Sequence, residues 1–143
     1  MSKPLQDTAV YKYERLKRSN QSAPTIEIVA FAPSDKSLTA KAKAIIDTGA
    51  TITCVPISVI EAIGHQNLNA TSKKVVGAFR SRRAIVERES YTLNLRLGNC
   101  YFENIEVVVL HEIEYGLIGR DILNDFRIIF DGPRDAWTVE AKC

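Results

Sequence analysis

The residues of this chain best suited to chemistry lie in the run Ala44-Ile45-Ile46-Asp47-Thr48-Gly49-Ala50-Thr51. An apolar stretch delivers a carboxylate to a turn, with a glycine two residues on. The stretch places Asp47 at the edge of a core, partly desolvated, where the proton affinity of a carboxylate responds to its surroundings. Thr48 can hydrogen-bond locally and fix the turn. Gly49 permits close backbone approach and backbone angles closed to other residues. A second segment follows about 70 residues later: Tyr115-Gly116-Leu117-Ile118-Gly119-Arg120-Asp121-Ile122-Leu123. It too ends an apolar strand-like run on glycine, then passes through Arg-Asp into a short helical pattern.

Other constellations carry less. His65 follows Gly64 at a helix end, where a cation is favourable, and His111 follows a strand-like run. With two histidines and no matching serine or cysteine elbow, a nucleophilic triad has no basis. Neither histidine makes a metal site with the scattered acids. Cys54, Cys100 and Cys143 are odd in number and form no CxxC pair, which argues against structural zinc. Free thiols in a reducing cytoplasm are the simplest reading.

The elements that must position Asp47 read mostly as strands. TIEIVAF and LTAKAKAII alternate apolar and polar residues about the turn PSDKS, and RRAIVERESYTLNLRL runs on to Gly98-Asn99. YFENIEVVVL is rich in β-branched residues, and RIIF and AWTVE flank the turn DGPRD. Two stretches read as helical. PISVIEAIGH starts on Pro56 and stops at Gly64, and RDILNDF makes one or two turns. Several short strands with turn signals between them predict a mostly β chain closed into a small barrel. Pro24 marks the start of the folded part. This divides the chain into a flexible basic segment, 1–23, a domain over 24–140 and a tail, 141–143.

The 143 residues suffice for one domain, and 45% hydrophobic with 25% charged residues is ordinary for a soluble globular protein. No apolar run reaches the roughly 18 residues a membrane helix needs, and the N-terminus lacks the apolar core of a signal peptide. The net charge of +2 is too balanced to imply nucleic acid. Positive charge is nonetheless local. Residues 1–22 hold five Lys or Arg against two acids, and residues 73–90 hold six against two. Both read first as solvated surface. Tyr11-Lys12-Tyr13 with Arg15–Arg18 has the composition for stacking on RNA, but rests on local charge alone.

The two chemistry-bearing segments, in this order and spacing, resemble the retropepsin-like aspartic proteases, the retroviral protease family with its bacterial and cellular relatives. The resemblance spans roughly residues 24–140. It implies a small closed β-barrel of the acid protease type with a flap hairpin, one or two short helices, and one half-site per chain. Asp47 is then the catalytic residue. Thr48 supports it across a twofold axis, Gly49 contacts substrate, and Ala50 completes the motif. The chemistry needs two carboxylates facing one water and no metal or other cofactor. Close like charges cannot both ionise easily, so the pair shares a proton. The sequence holds a single Asp-Thr-Gly, and Phe130-Asp131-Gly132 lacks the threonine. A homodimer is therefore the implied state, with a peptide or protein as substrate, no membrane partner and none in nucleic acid.

Finer expectations accompany the same resemblance. Pepsin-like relatives carry a hydroxyl after the glycine that can donate to the carboxylate. Ala50 cannot, which predicts a less acidic optimum for a dyad titrating as one unit. The flap falls in residues 73–90, with its tip at Gly77, Ala78, Phe79 and Arg80 or at Arg80–Arg83. Arginines facing the cleft would favour acidic substrates. Viral relatives often place Asp after Asp-Thr-Gly-Ala to pair with the late arginine. Thr51 stands there instead, so Arg120 needs another partner, and Gly119, Arg120 and Asp121 read as structural. The last strand, Ala136–Glu140, is expected to join an intersubunit sheet. A module of the same fold that dimerises or binds peptides without catalysis is the alternative reading.

Overall fold

The structure, a computed structural model, describes residues 8–16, 21–79 and 82–140. In chain order the strands are β1 (Thr8–Glu14), β2 (Ala23–Ala32), β3 (Asp35–Ile46), β4 (Cys54–Pro56), β5 (Ala70–Phe79), β6 (Arg82–Leu97), β7 (Cys100–Leu110), β8 (Gly116–Ile118), β9 (Arg127–Asp131) and β10 (Ala136–Glu140). Helix α1 (Ile57–Ile63) follows β4, and α2 (Arg120–Leu123) follows β8. Six strands close a ring in the order β2-β6-β7-β4-β8-β3. Antiparallel pairing of Ile28 with Leu97 through Phe31 with Asn94 shuts it. The closed β architecture read from the sequence is the one observed.

Period-two alternation fills the ring. Ile26, Ile28, Ala30 and Ala32 of β2, Tyr91, Leu93, Leu95 and Leu97 of β6, and Val107 and Val109 of β7 point inward and are buried. The fully buried Leu93, Leu95 and Ile28 are the bulk that the smaller Ala30 and Ala44 accommodate. Helix α1 contributes Val59, Ile60 and Ile63 to this core. Pro56 ends β4 and occupies the helix N-cap. Gly64, at φ 99°, turns the chain out by donating its N–H to the Ile60 carbonyl at 2.8 Å.

A second, smaller layer joins the chain's two ends. β1 pairs with β10 from Thr8 opposite Glu140 to Lys12 opposite Ala136, and β10 pairs with β9 on its other edge. This strand lies inside the stretch read as a flexible basic segment. Its Ala9, Tyr11 and Tyr13 are half-buried while Val10 and Lys12 are exposed, a strand alternation that the surrounding cations obscure. Trp137 fastens the layer to the ring. It is buried, stacks on Tyr11 at 4.6 Å, and donates its indole N–H to the Thr25 carbonyl at 3.1 Å. Ala136–Glu140, expected to join an intersubunit sheet, has β1 and β9 of the same chain on its two edges.

The cysteines also depart from expectation. Cys54 is free, but Cys100 is disulfide-bonded, so the reading of free thiols fails there. The argument for a reducing compartment loses that support. Among the described residues no helix is long and apolar enough to cross a membrane.

Candidate active site

Asp47 is delivered by the ring itself. The last residues of β3 run parallel to β8, with Ile45 beside Leu117 and Ile46 beside Ile118. Asp47 extends that ladder by one bond, its N–H donating to the Ile118 carbonyl at 3.0 Å. The chain then turns sharply. Ala50 N–H donates to the Asp47 carbonyl at 3.1 Å, and Gly49 N–H donates to Asp47 Oδ1 at 2.9 Å. The second bond is the local side-chain turn that aspartate favours, and it fixes the carboxylate's direction. A Cβ on residue 49 would lie 3.2 Å from that same oxygen, so a larger residue would crowd the acid. Asp47 and Ala50 are half-buried, while Thr48 and Gly49 are exposed.

The late motif holds this turn from beneath. Arg120 N–H donates to the Ala50 carbonyl at 2.8 Å, and Asp121 N–H to the Thr51 carbonyl at 3.2 Å. The Arg120 guanidinium donates to the Thr48 carbonyl at 2.7 Å and to the Thr51 hydroxyl at 3.4 Å. These are the partners left open by the absence of an acid at position 51. The arginine is exposed, so it carries no burial penalty for lacking a carboxylate. Gly119 packs where no side chain fits: a Cβ there would stand 2.6 Å from the Ile52 carbonyl carbon.

Thr53 is the residue that sequence reasoning missed. Fully buried, it donates its N–H to Asp121 Oδ2 at 3.0 Å and its hydroxyl to Asp121 Oδ1 at 2.8 Å. Its oxygen also accepts the Gly119 N–H at 3.1 Å. Three hydrogen bonds therefore pass through one threonine, between the strand leaving the Asp47 turn and the start of α2. The signal available was a lone polar residue in the apolar run around Ile52 and Val55, which names a buried hydroxyl but not its partner.

Cys54 lies beside this network, its Sγ 3.5 Å from the Ile52 carbonyl. Burial pushes the thiol up to about 11, and the negative charges of Asp121 and then Asp47 add to the shift against the opposing pull of Arg88. His65 does not join the site. Its Nδ1 meets the Tyr91 hydroxyl at 2.9 Å, and the rings pack edge to face.

The expected flap corresponds to the β5–β6 arms. Gly77 pairs with Ala84, Ala78 with Arg83 and Phe79 with Arg82, while Arg80 lies outside the described residues. Among the described residues β5 has one strand neighbour, so these arms stand at the end of the sheet order.

Two outcomes test this geometry. Replacing Thr53 by Val should lower stability by about 1–3 kcal/mol, since Asp121 and the Gly119 N–H both lose a partner in a dry position. Thr53→Ser should recover most of the loss, and urea unfolding measures both. At about pH 8 the native Cys54 thiol should alkylate on the order of a hundredfold more slowly than after unfolding, because its thiolate is scarcer by that factor. Equal rates would refute the burial.

Residues 39–125 match the family model described as "gag-polyprotein putative aspartyl protease". The crystal structure of a retropepsin-like aspartic protease from Rickettsia conorii superimposes with a TM-score of 0.53 at 19% identity, covering 98% of this chain and 97% of that one. At that identity the likeness speaks for the fold alone. No curated protein sequence matches the chain.

Proposed function

Because the chain belongs to the retropepsin-like aspartyl protease family, we propose that two copies assemble into an aspartic endopeptidase, each supplying Asp47 to a shared dyad. The observation that carries this reading is the Asp47 carboxylate itself. It is half-buried at a turn, aimed by the Gly49 N–H and braced from below by Arg120, and the sequence contains no second Asp-Thr-Gly to face it.

The mechanism follows from two carboxylates brought together at a twofold axis. One proton is shared between them, because two adjacent negative charges repel. The ionised Asp47 takes a proton from a water, which attacks the scissile carbonyl. The protonated Asp47 donates a hydrogen bond to the developing oxyanion and later passes its proton to the leaving amine. Thr48 and Gly49 are exposed at the turn, which supports a role for them toward the second subunit and the substrate backbone. The β5–β6 arms close over an extended peptide, which adds as a strand beneath them. If the arginines of this stretch of sequence, Arg80, Arg82 and Arg83, face the cleft, they favour acidic substrates. The site operates without metal or other cofactor.

The test pairs wild type with Asp47→Asn against a complex peptide library from about pH 4 to 7.5, a window that begins in the range of unperturbed carboxyls and extends above it. Cleavage by wild type should fall by more than about a thousandfold in the variant. The rate maximum should lie above about pH 4, since Ala50 offers no hydroxyl to favour the charged form. No cleavage by a protein shown to be dimeric would instead favour the non-catalytic peptide-binding module.

A further inference from the structure

The fold gathers charge that the sequence leaves balanced. On the outer face of the ring, β3, β2, β6 and β7 lie side by side, and one rung across them reads Lys41, Val29, Arg96 and Tyr101. The rung to one side sets Lys43 opposite Glu27, and the rung to the other sets Phe31 between Thr39 and Asn94. Lys41, Lys43 and Arg96 are exposed, whereas Val29 between the cationic stems is 8% exposed. The nearby acids are already engaged. Glu14 of β1 bonds Lys43 at 3.0 Å, and Glu27 stands opposite the same lysine. Asp35 is turned onto Ser37, accepting its N–H at 2.9 Å and its hydroxyl at 2.6 Å. Glu103 falls outside these rungs, in the β6–β7 bulge. Among the described residues, Lys36, Lys41 and Arg96 have no carboxylate partner.

Two aromatic rings carry these cations. The Arg96 guanidinium lies over Phe31, 5.7 Å from the ring centroid, and the Lys36 ammonium lies over Tyr101 at 5.5 Å. The two rings meet edge to face at 5.7 Å. Tyr101 is 38% exposed, and its hydroxyl accepts an amide N–H of the buried Asn94 at 2.9 Å, which fixes the ring on the sheet. Beside this array a cleft of about 350 Å³ opens between β1 and the ring, with Lys12, Lys43, Arg96 and Val29 in its lining. The Tyr11-Lys12-Tyr13 stretch therefore enters differently from its sequence reading. The Tyr11 ring is stacked on Trp137, and Lys12 adds a cation to the cleft.

We propose that this face of β3, β2, β6 and β7, with the cleft beside it, binds single-stranded nucleic acid. Cations without carboxylate partners on an open sheet suit a polyanion, and the rings select which one. A single strand offers phosphates to Lys12, Lys41 and Arg96, and unpaired bases to the Tyr101 ring and the guanidinium plane of Arg96. An acidic peptide meets the charges but brings no flat group to stack. A duplex keeps its base faces in its own stack and offers charge alone. Lys36 is an exposed turn residue, so its ammonium can leave the Tyr101 ring to a base and meet a phosphate instead. The face is separate from the Asp47 turn, since Lys41 lies about 20 Å back along β3 at the rise of an extended strand. Binding there requires neither the dyad nor a second copy of the chain.

Fluorescence anisotropy on the full chain tests this, with labelled oligouridylate and oligodeoxythymidylate as probes, and a duplex of equal length and poly-glutamate as competitors. The single strands should bind, and log affinity should fall against log salt with a slope of about −2 to −3, as three or four phosphate contacts require. Arg96→Glu and Lys41→Glu should each weaken binding about tenfold or more and flatten that slope by about one. Arg134→Glu makes the same charge change away from this face and should alter binding less than about threefold. Tyr101→Leu should weaken binding about tenfold and leave the slope unchanged, whereas Tyr101→Phe, which keeps the stacking ring, should stay within about threefold of wild type. Circular dichroism confirms that each variant is folded. No binding at about 50 mM salt, an equal loss with Arg134→Glu, or a duplex that binds more tightly than the single strands would overturn the proposal. So would displacement of the strand by poly-glutamate at equal charge, which would point to an acidic protein partner.

Discussion

Both oxygens of Asp121 are held by Thr53, one by its backbone N–H and one by its hydroxyl, and the rest of the site depends on that grip. A carboxylate at the start of α2 is thereby tied to the strand that leaves the Asp47 turn. The tie fixes Gly119 against Ile52, brings Arg120 to the Thr48 carbonyl, and sets the height of β8 on which Asp47 N–H rests. Each contact is a modest net contribution by itself. Together they over-determine a short irregular segment that would otherwise be free to move, which is how a rigid scaffold presents a half-buried acid in one direction.

The substitution of Thr51 for an acid changes how that brace works. A guanidinium facing a carboxylate would gain Coulomb energy and be screened by salt. Here it faces a carbonyl and a hydroxyl, and its exposure makes the arrangement tolerable. The arginine therefore acts as a geometric strut on the turn, with its charge left to solvent. Cys54, next to Thr53 in the chain, belongs to the same local balance. Burial together with the nearby carboxylates keeps the thiol protonated, so the network gains no further negative charge.

Much of this was legible from residues in sequence. The strand over Arg82–Leu97 was legible as one long strand-like run, alternating from Tyr91 to Leu97, α1 was bounded by Pro56 and Gly64, and the Asp47 turn announced itself by an apolar run, a carboxylate and a glycine. What escaped was pairing between distant segments. β4 and β8 are three residues each, too short for a period, and exist because the ring supplies neighbours for them. β1 was hidden among lysines and arginines. β10 has a clear strand pattern, yet nothing in that pattern says that the N-terminal strand takes one of its edges. Thr53 could be seen as a polar residue in an apolar run, but its partner lies 68 positions away. The disulfide at Cys100 was likewise invisible in an odd count of thiols.

The central claim is that each chain supplies half of one catalytic site. It is tested most directly by mixing wild-type subunits with Asp47→Asn subunits at constant total concentration, allowing exchange, and following peptide cleavage against the wild-type fraction. If the two Asp47 carboxylates form one dyad, only pairs of wild-type subunits are competent and activity falls with the square of that fraction, to about one quarter in an equal mixture. A linear decline, to about one half, would mean that each chain works alone, and would contradict the account.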